Sequence, residues 1–242
     1  MPRPFSIEVN KMEAINEYTT GVVRVRHVIA DANGLTGITA VNVYRKSAAE
    51  KEWTLVAVRN IITSDDVKFE MIDFSARAKT EYAYKVGLVI AGEEIEGASC
   101  NVRSDFGGVF IGTLTEQYVA NAAAECTSQR QYNMTYVTPF YSKYPHAIQN
   151  GDANFSFGTA RGWFNRIDEG CQITKESAEY NEALEDFLTN GEIKTLKKFD
   201  GRVWRVQIDN QIRNEETRLD GIVCLSFLWH EVEVPQPLTR FV

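Results

Sequence analysis

The sequence has no cysteine pair spaced for a metal or redox centre. Cys100, Cys126, Cys171 and Cys224 lie far apart and form no C-x-x-C, which argues against a zinc ribbon or thioredoxin-type site and favours isolated buried thiols. Histidine is scarce too, with only His27, His146 and His230. No His-Glu-x-x-His, Gly-x-Ser-x-Gly or Walker-type loop is available to hold a metal, a nucleophile or a phosphate. Clustered Lys and Arg are missing as well, and the formal charge of −7 speaks against generic nucleic-acid binding, which depends on counterion release by a basic surface. No apolar run approaches the ~18 residues of a membrane span. None follows the opening Met-Pro-Arg-Pro-Phe either, so a protein made in the cytosol without a signal peptide is expected.

What remains is an ordinary globular composition. Hydrophobic residues make up 44% and charged residues 24% of 242 positions, enough for two domains of usual size with no disordered tract. Residues 1–105 carry 13 basic and 15 acidic side chains and residues 106–242 carry 13 and 18. Acidity is therefore spread along the chain, which bears on solubility more than on function.

The first half reads as strands. Phe5–Val9 alternates like a short edge strand. Val22, Val23, Val25, Val28 and Ile29 suit a second segment, which ends in the turn-rich Asp31–Gly34. Ile38–Tyr44, Trp53–Ile62 and Phe69–Phe74 follow, and Tyr82–Ile90 with Ile95–Val102 form a hairpin around Ala91-Gly92-Glu93-Glu94. About six strands in about 85 residues without a helical period point to a β-sandwich. Paired glycines in Arg103–Val109 mark a linker, which divides the chain into residues 1–105 and 106–242.

The run Asp73-Phe-Ser-Ala-Arg-Ala-Lys-Thr-Glu-Tyr82-Ala-Tyr-Lys-Val86 resembles the turn and penultimate strand of fibronectin type III domains. Tyr82 matches the tyrosine that anchors a corner in that fold. Val41-Asn-Val-Tyr-Arg-Lys and Trp53-Thr-Leu-Val resemble its central strands. The resemblance implies a spacer or binding module, and the fold alone assigns no partner.

In the second half Val109–Leu114 and Tyr132–Val137 read as strands, while Tyr118–Cys126 is compatible with helix or strand. The segment Tyr144–Phe164 combines turn formers with Tyr144, Phe155, Phe157, Trp163 and Phe164. Asn150-Gly151-Asp152 suits a tight turn, and Gly158 and Gly162 suit bends or close backbone approach. It reads as a bent aromatic loop, either an internal plug or a clasp against a neighbouring subunit. Ser177–Thr189 is a helix with an apolar stripe of Tyr180, Ala183, Leu184, Phe187 and Leu188, an acidic face of Glu179, Glu182, Glu185 and Asp186, and Asn190-Gly191 at its end. Asp200-Gly201 signals a hairpin, and Ile222–Val234 is the last long strand before Pro235 and Pro237.

Three stretches of this half resemble tail-tip and baseplate (distal tail-like) proteins of tailed bacteriophages and phage-tail-like particles. They are Lys143-Tyr-Pro with Ile148–Phe155 and Gly158, Asp186–Gly191 with Ile193–Lys197, and Asp200–Val206 with Phe227–Glu231. The resemblance spans roughly residues 140–233 and carries no catalytic signature. It implies a β-barrel-like module with one packed helix and a structural role in a virion tail assembled in the host cytoplasm. Its implied partners are copies of the chain, other tail or baseplate proteins and a host-surface receptor, with no cofactor and no nucleic acid.

The fold class expected is thus mainly β: a fibronectin type III-like sandwich followed by a barrel-like module. The chemistry offers little against a structural reading. His230 and Glu231 are adjacent in a strand and point to opposite faces, and the helical carboxylates lie on a solvated face. Lys194, Lys197, Lys198, Arg202 and Arg205 read as a solvated basic hairpin, or one meeting an acidic neighbour. Tyr144, His146, Asn150, Asp152, Phe155, Phe157 and Trp163 are the expected assembly surface, with no catalytic or metal site. A collar or tail decoration protein is one alternative. A carbohydrate-binding module using Trp53, Trp163, Trp204 and Trp229 is the other.

Overall fold

Short alternating segments punctuated by turns give a chain made almost wholly of strands. The computed structural model describes residues 10–29, 37–121, 124–174, 179–216 and 223–242. The strand expected at Phe5–Val9, the turn at Asp31–Gly34 and the first two residues of the expected helix lie outside them.

The first unit is a sandwich. Strands β1 (Asn10–Glu17), β2 (Val22–Ile29) and β5 (Phe69–Asp73) lie side by side in one sheet, and β4 (Thr54–Asn60), β3 (Ile38–Ser47), β6 (Thr80–Ile90) and β7 (Glu93–Ser104) form the other in that order. All pairings are antiparallel. Period-two alternation sends Val23, Val25 and Met71 of one sheet and Val41, Val43, Tyr84 and Val86 of the other into a shared core. Ala91 and Gly92 join β6 to β7 with φ of 51° and 85°, the two positive values of a type I′ hairpin turn.

The second unit is an open antiparallel sheet. Its strands are β8 (Val109–Gly112), β9 (Gln117–Ala120), β10 (Glu125–Cys126), β11 (Gln129–Val137), β12 (His146–Gly162), β13 (Phe164–Ile167), β14 (Ile173–Thr174), β15 (Lys194–Lys198), β16 (Val203–Glu216) and β17 (Val223–Glu233). They run in the order β10-β12-β17-β16-β15-β8-β9-β13-β14, with β11 also on β12. The barrel-like expectation is corrected in this respect: among the described residues the two ends of the sheet do not pair, and no barrel closes. The ambiguous Tyr118–Cys126 resolves into strand, as β9 and β10.

Helix α1 (Glu179–Thr189) packs on this sheet through Leu184, Phe187 and Leu188, which join Tyr118, Leu196, Trp204, Phe227 and Trp229 in a second core. Its Ala183, expected in the stripe, is exposed, whereas Glu182 and Asp186 face solvent as the period requires. Gly191 follows with φ of 76°, the left-handed conformation that ends a helix at little cost for glycine.

A third core joins the units. Val22, Ile72 and Phe74 of the sandwich meet Phe106, Phe110, Val119 and Ile167, and Phe74 stacks on Phe110 at 6.0 Å. The connection expected as a linker is part of this contact, since Phe106 is buried and the Asn16 side chain bonds both the carbonyl and the amide of Asp105. Pro235 and Pro237 do end β17, but the chain then returns to the first unit. Strand β18 (Thr239–Phe241) pairs with β5, and Phe241 sets its ring edge-on to Phe69 at 5.3 Å.

Candidate assembly site

The aromatic segment is not a loop. Most of it is β12, a strand of 17 residues, and with β11 it forms a two-stranded arm. Residues 129–154 are exposed throughout, apart from half-buried Ser142, so the arm plugs no core. The reversal lies at residues 138–145, where Ser142 N–H donates to Pro139 O at 3.0 Å and Tyr141 takes φ of 71°. Asn150-Gly151-Asp152 is therefore not the hairpin turn. Tyr132 pairs with Asn154 and Met134 with Gln149, so β12 carries three more residues than β11 across this interval, in a bulge with Gly151 at φ 96°. An irregular insertion of this kind uses the same positive-φ residues as a turn.

Apolar side chains crowd the outer part of the arm. Tyr132, Tyr136, Phe140, Tyr141 and Tyr144 are 58%, 64%, 91%, 99% and 69% exposed. Of the expected assembly residues, Tyr144, His146, Asn150 and Asp152 share this surface. Phe155 and Phe157 lie at its root, half-buried, with Phe157 stacked on His230 at 5.5 Å and Phe155 at 6.1 Å from the same ring. Trp163 is apart from them, between β12 and β13, and its indole Nε1 is buried without a hydrogen-bond partner among the described residues. At the arm's base Gly158 is required by close approach: a Cβ there would stand 2.1 Å from Thr127 O.

His230 and Glu231 diverge as their register demands. His230 Nδ1 lies 3.0 Å from Asp209 Oδ1, while Glu231 Oε2 accepts the Ser156 amide at 2.7 Å. Among the described residues no group of three or more His, Cys, Asp or Glu could hold a metal ion, and no helix is long and apolar enough to cross a membrane.

No family model matches the chain, and no curated protein does. Among solved structures, one chain from "Virion of native gene transfer agent (GTA) particle" aligns with 56% of this chain and 95% of its own length, at a TM-score of 0.34 and 11% identity.

The basic hairpin departs from its expected solvation. Lys194 and Lys197 are fully buried. The Lys197 amine donates to the carbonyls of Gly21 and Phe74 and lies 5.4 Å and 5.0 Å from the ring centres of Phe106 and Phe110, so it sits inside the contact between the two units. Burial pushes it down to about 7, against the pull of Asp73. Lys194, bonded to Asn190 Oδ1 and Glu192 O, is lowered by burial to about 8. Arg202 remains exposed and pairs with Asp200. Charge pattern alone cannot separate a solvated lysine from one whose donors meet main-chain carbonyls brought in from another unit. The sequence of β15, Lys-Thr-Leu-Lys-Lys, carries a single apolar residue, yet four successive positions from Lys194 to Lys197 are buried, so no alternation marked the lysines as inward.

The tryptophans divide. Trp204 and Trp229 are buried in the second core 4.8 Å apart, while Trp53 is half-buried beneath the Lys85 ammonium. Two of the four are thus unavailable for stacking on a sugar. All four cysteines are free thiols, three of them buried.

Proposed function

We propose that this protein is a non-enzymatic structural component of a phage tail or phage-tail-like particle, at the tail tip or baseplate. It assembles with copies of itself and with other tail proteins through the second unit. The observation that carries the reading is the arm, an extended pair of strands whose large aromatic side chains meet no core of their own chain. A two-stranded ribbon is marginal in water by itself, and contiguous exposed apolar surface marks a protein contact. The three stretches that resemble tail-tip proteins support the same reading, because they occupy β12, β17, β16 and β15, consecutive neighbours in one sheet, with α1 preceding β15.

The first unit is read as a fibronectin type III-like spacer presented to a neighbour or a host surface. Its strand orders support this, as does Tyr82 at the start of β6. The Tyr82 hydroxyl accepts the backbone amide of Arg77 at 3.1 Å, the tie between a strand start and the preceding corner that characterises sandwich tyrosines.

Light scattering of the full chain over a range of concentrations tests the assembly. A discrete oligomer that becomes a folded monomer when residues 133–149 are replaced by a short Gly-Ser turn is the expected result. A full-length chain that stays monomeric, with no complex formed on co-expression with tail proteins, would sink it.

A further inference from the structure

We infer that the root of the arm is a strand-insertion slot for an extended, acidic peptide segment of a neighbouring protein subunit. Strands β12 and β17 pair from Gly162↔Leu225 to Phe157↔His230 and then part. Continuing the register would place Ser156, Phe155 and Asn154 opposite Glu231, Val232 and Glu233. Instead they leave the pairing, and both sets line one open groove. The partners on the remaining edges are already fixed, since β11 covers the other side of β12 and β16 the other side of β17. Two strands of one sheet therefore present facing, unpaired edges. The Ser156 N–H, left without a strand partner, is held by the Glu231 carboxylate. Beyond the groove the same edge of β12 runs on to His146 with no strand upon it among the described residues. Main-chain donors and acceptors of this kind take an added strand, and the flanking side chains select its sequence.

The flanking charges are basic. Arg77 from the sandwich, Arg130 from β11 and Arg202 from the β15–β16 turn all line the groove and all are exposed. Arg130 donates to the neutral Asn154 side chain, and neither it nor Arg77 forms an ion pair among the described residues. The carboxylates that share the groove are engaged: Glu231 holds Ser156, and Glu233 lies 3.6 Å from Arg205. Arg202 is already paired with Asp200, so Arg77 and Arg130 are the guanidiniums that favour an acidic strand over a basic one. The inference does not rest on a tail role, because it concerns one groove of the isolated chain.

The test uses the full-length protein and a fluorescein-labelled peptide of alternating glutamate and valine, with its lysine–valine counterpart as control. Anisotropy should show saturable binding of the acidic peptide only. Hydrogen exchange should show new protection of the amides that alternation turns to the groove, those of Asn154, Glu231 and Glu233. Arg77→Glu with Arg130→Glu, both at exposed positions, should weaken binding by about tenfold or more, while Arg77→Lys with Arg130→Lys retains most of it. Three results would overturn the inference: equal affinity for both peptides, binding without amide protection, or uptake of a soluble anionic polysaccharide in place of the peptide.

Discussion

The two sides of the ten-stranded sheet invert the usual rule of residue placement. Where β15 and β8 meet the sandwich, a lysine is fully buried; where β11 and β12 leave the sheet, Phe140 and Tyr141 stand almost wholly in solvent. The difference lies in where partners come from. Lys197 finds two carbonyls and two aromatic faces within its own chain, so its burial is complete without help. The arm's rings find nothing comparable. Their burial requires another molecule, whereas the lysine's requires only that two units of one chain dock.

That contrast can be broken at its strongest point by Phe110→Ala, which removes a ring stacked on Phe74 in the joining core. A loss of about 3–5 kcal/mol is expected, read as a lower denaturation midpoint. Retention of the wild-type midpoint would mean that the units barely depend on each other. The next largest effect is pH dependence. Because the folded Lys197 is lowered to about 7 while the unfolded side chain titrates near 10.4, the unfolded state holds more protons between those values, and stability rises with pH across that window. Lys194 acts in the same direction from about 8 upward, and Cys100 and Cys126, raised by burial to about 11, oppose it only above the ordinary thiol range. Denaturation of wild type and Lys197→Met from pH 7 to 9 should therefore give a steeper rise for wild type. Parallel curves would show that the amine is not shielded.

Smaller still is Tyr82→Phe, which deletes the acceptor of the Arg77 amide and should cost about 1 kcal/mol, again in a chemical denaturation series. Smallest in stability is Phe140→Ser with Tyr141→Ser. Both rings are exposed, so a change within about 0.5 kcal/mol is expected, yet any oligomer seen by light scattering should weaken. A large stability loss in this variant would place the rings against their own chain and erase the comparison.

Strand positions were legible because alternation at period two survives in Val22–Ile29, Ile38–Ser47 and Thr80–Ile90, whose inward residues all reach one core. The hairpin at Ala91–Gly92 and the helical stripe of Leu184, Phe187 and Leu188 were legible for the same reason: local chemistry and global packing agree there. The arm was not, since Asn150-Gly151-Asp152 writes the same residues for a bulge as for a turn, and only the pairing of Tyr132 with Asn154 distinguishes them. Strand β1 alternates only through Met12 and Ala14 before Ile15 breaks the apolar pattern, and β18 is three residues long behind two prolines. Both are strands because a neighbour offers an edge. For the expected assembly residues composition left plug and clasp open, and the exposure of Tyr144, His146, Asn150 and Asp152, the half-burial of Phe155 and Phe157 and the separate position of Trp163 all required the fold.

Strand β18 also sets an order of events. It begins 135 residues after β7 ends, yet it supplies the outer edge of β5 and carries Phe241 onto Phe69. During synthesis the sandwich therefore emerges with that edge bare and remains so until the whole second unit has followed. Completion of the sandwich thus reports that the second unit has been made.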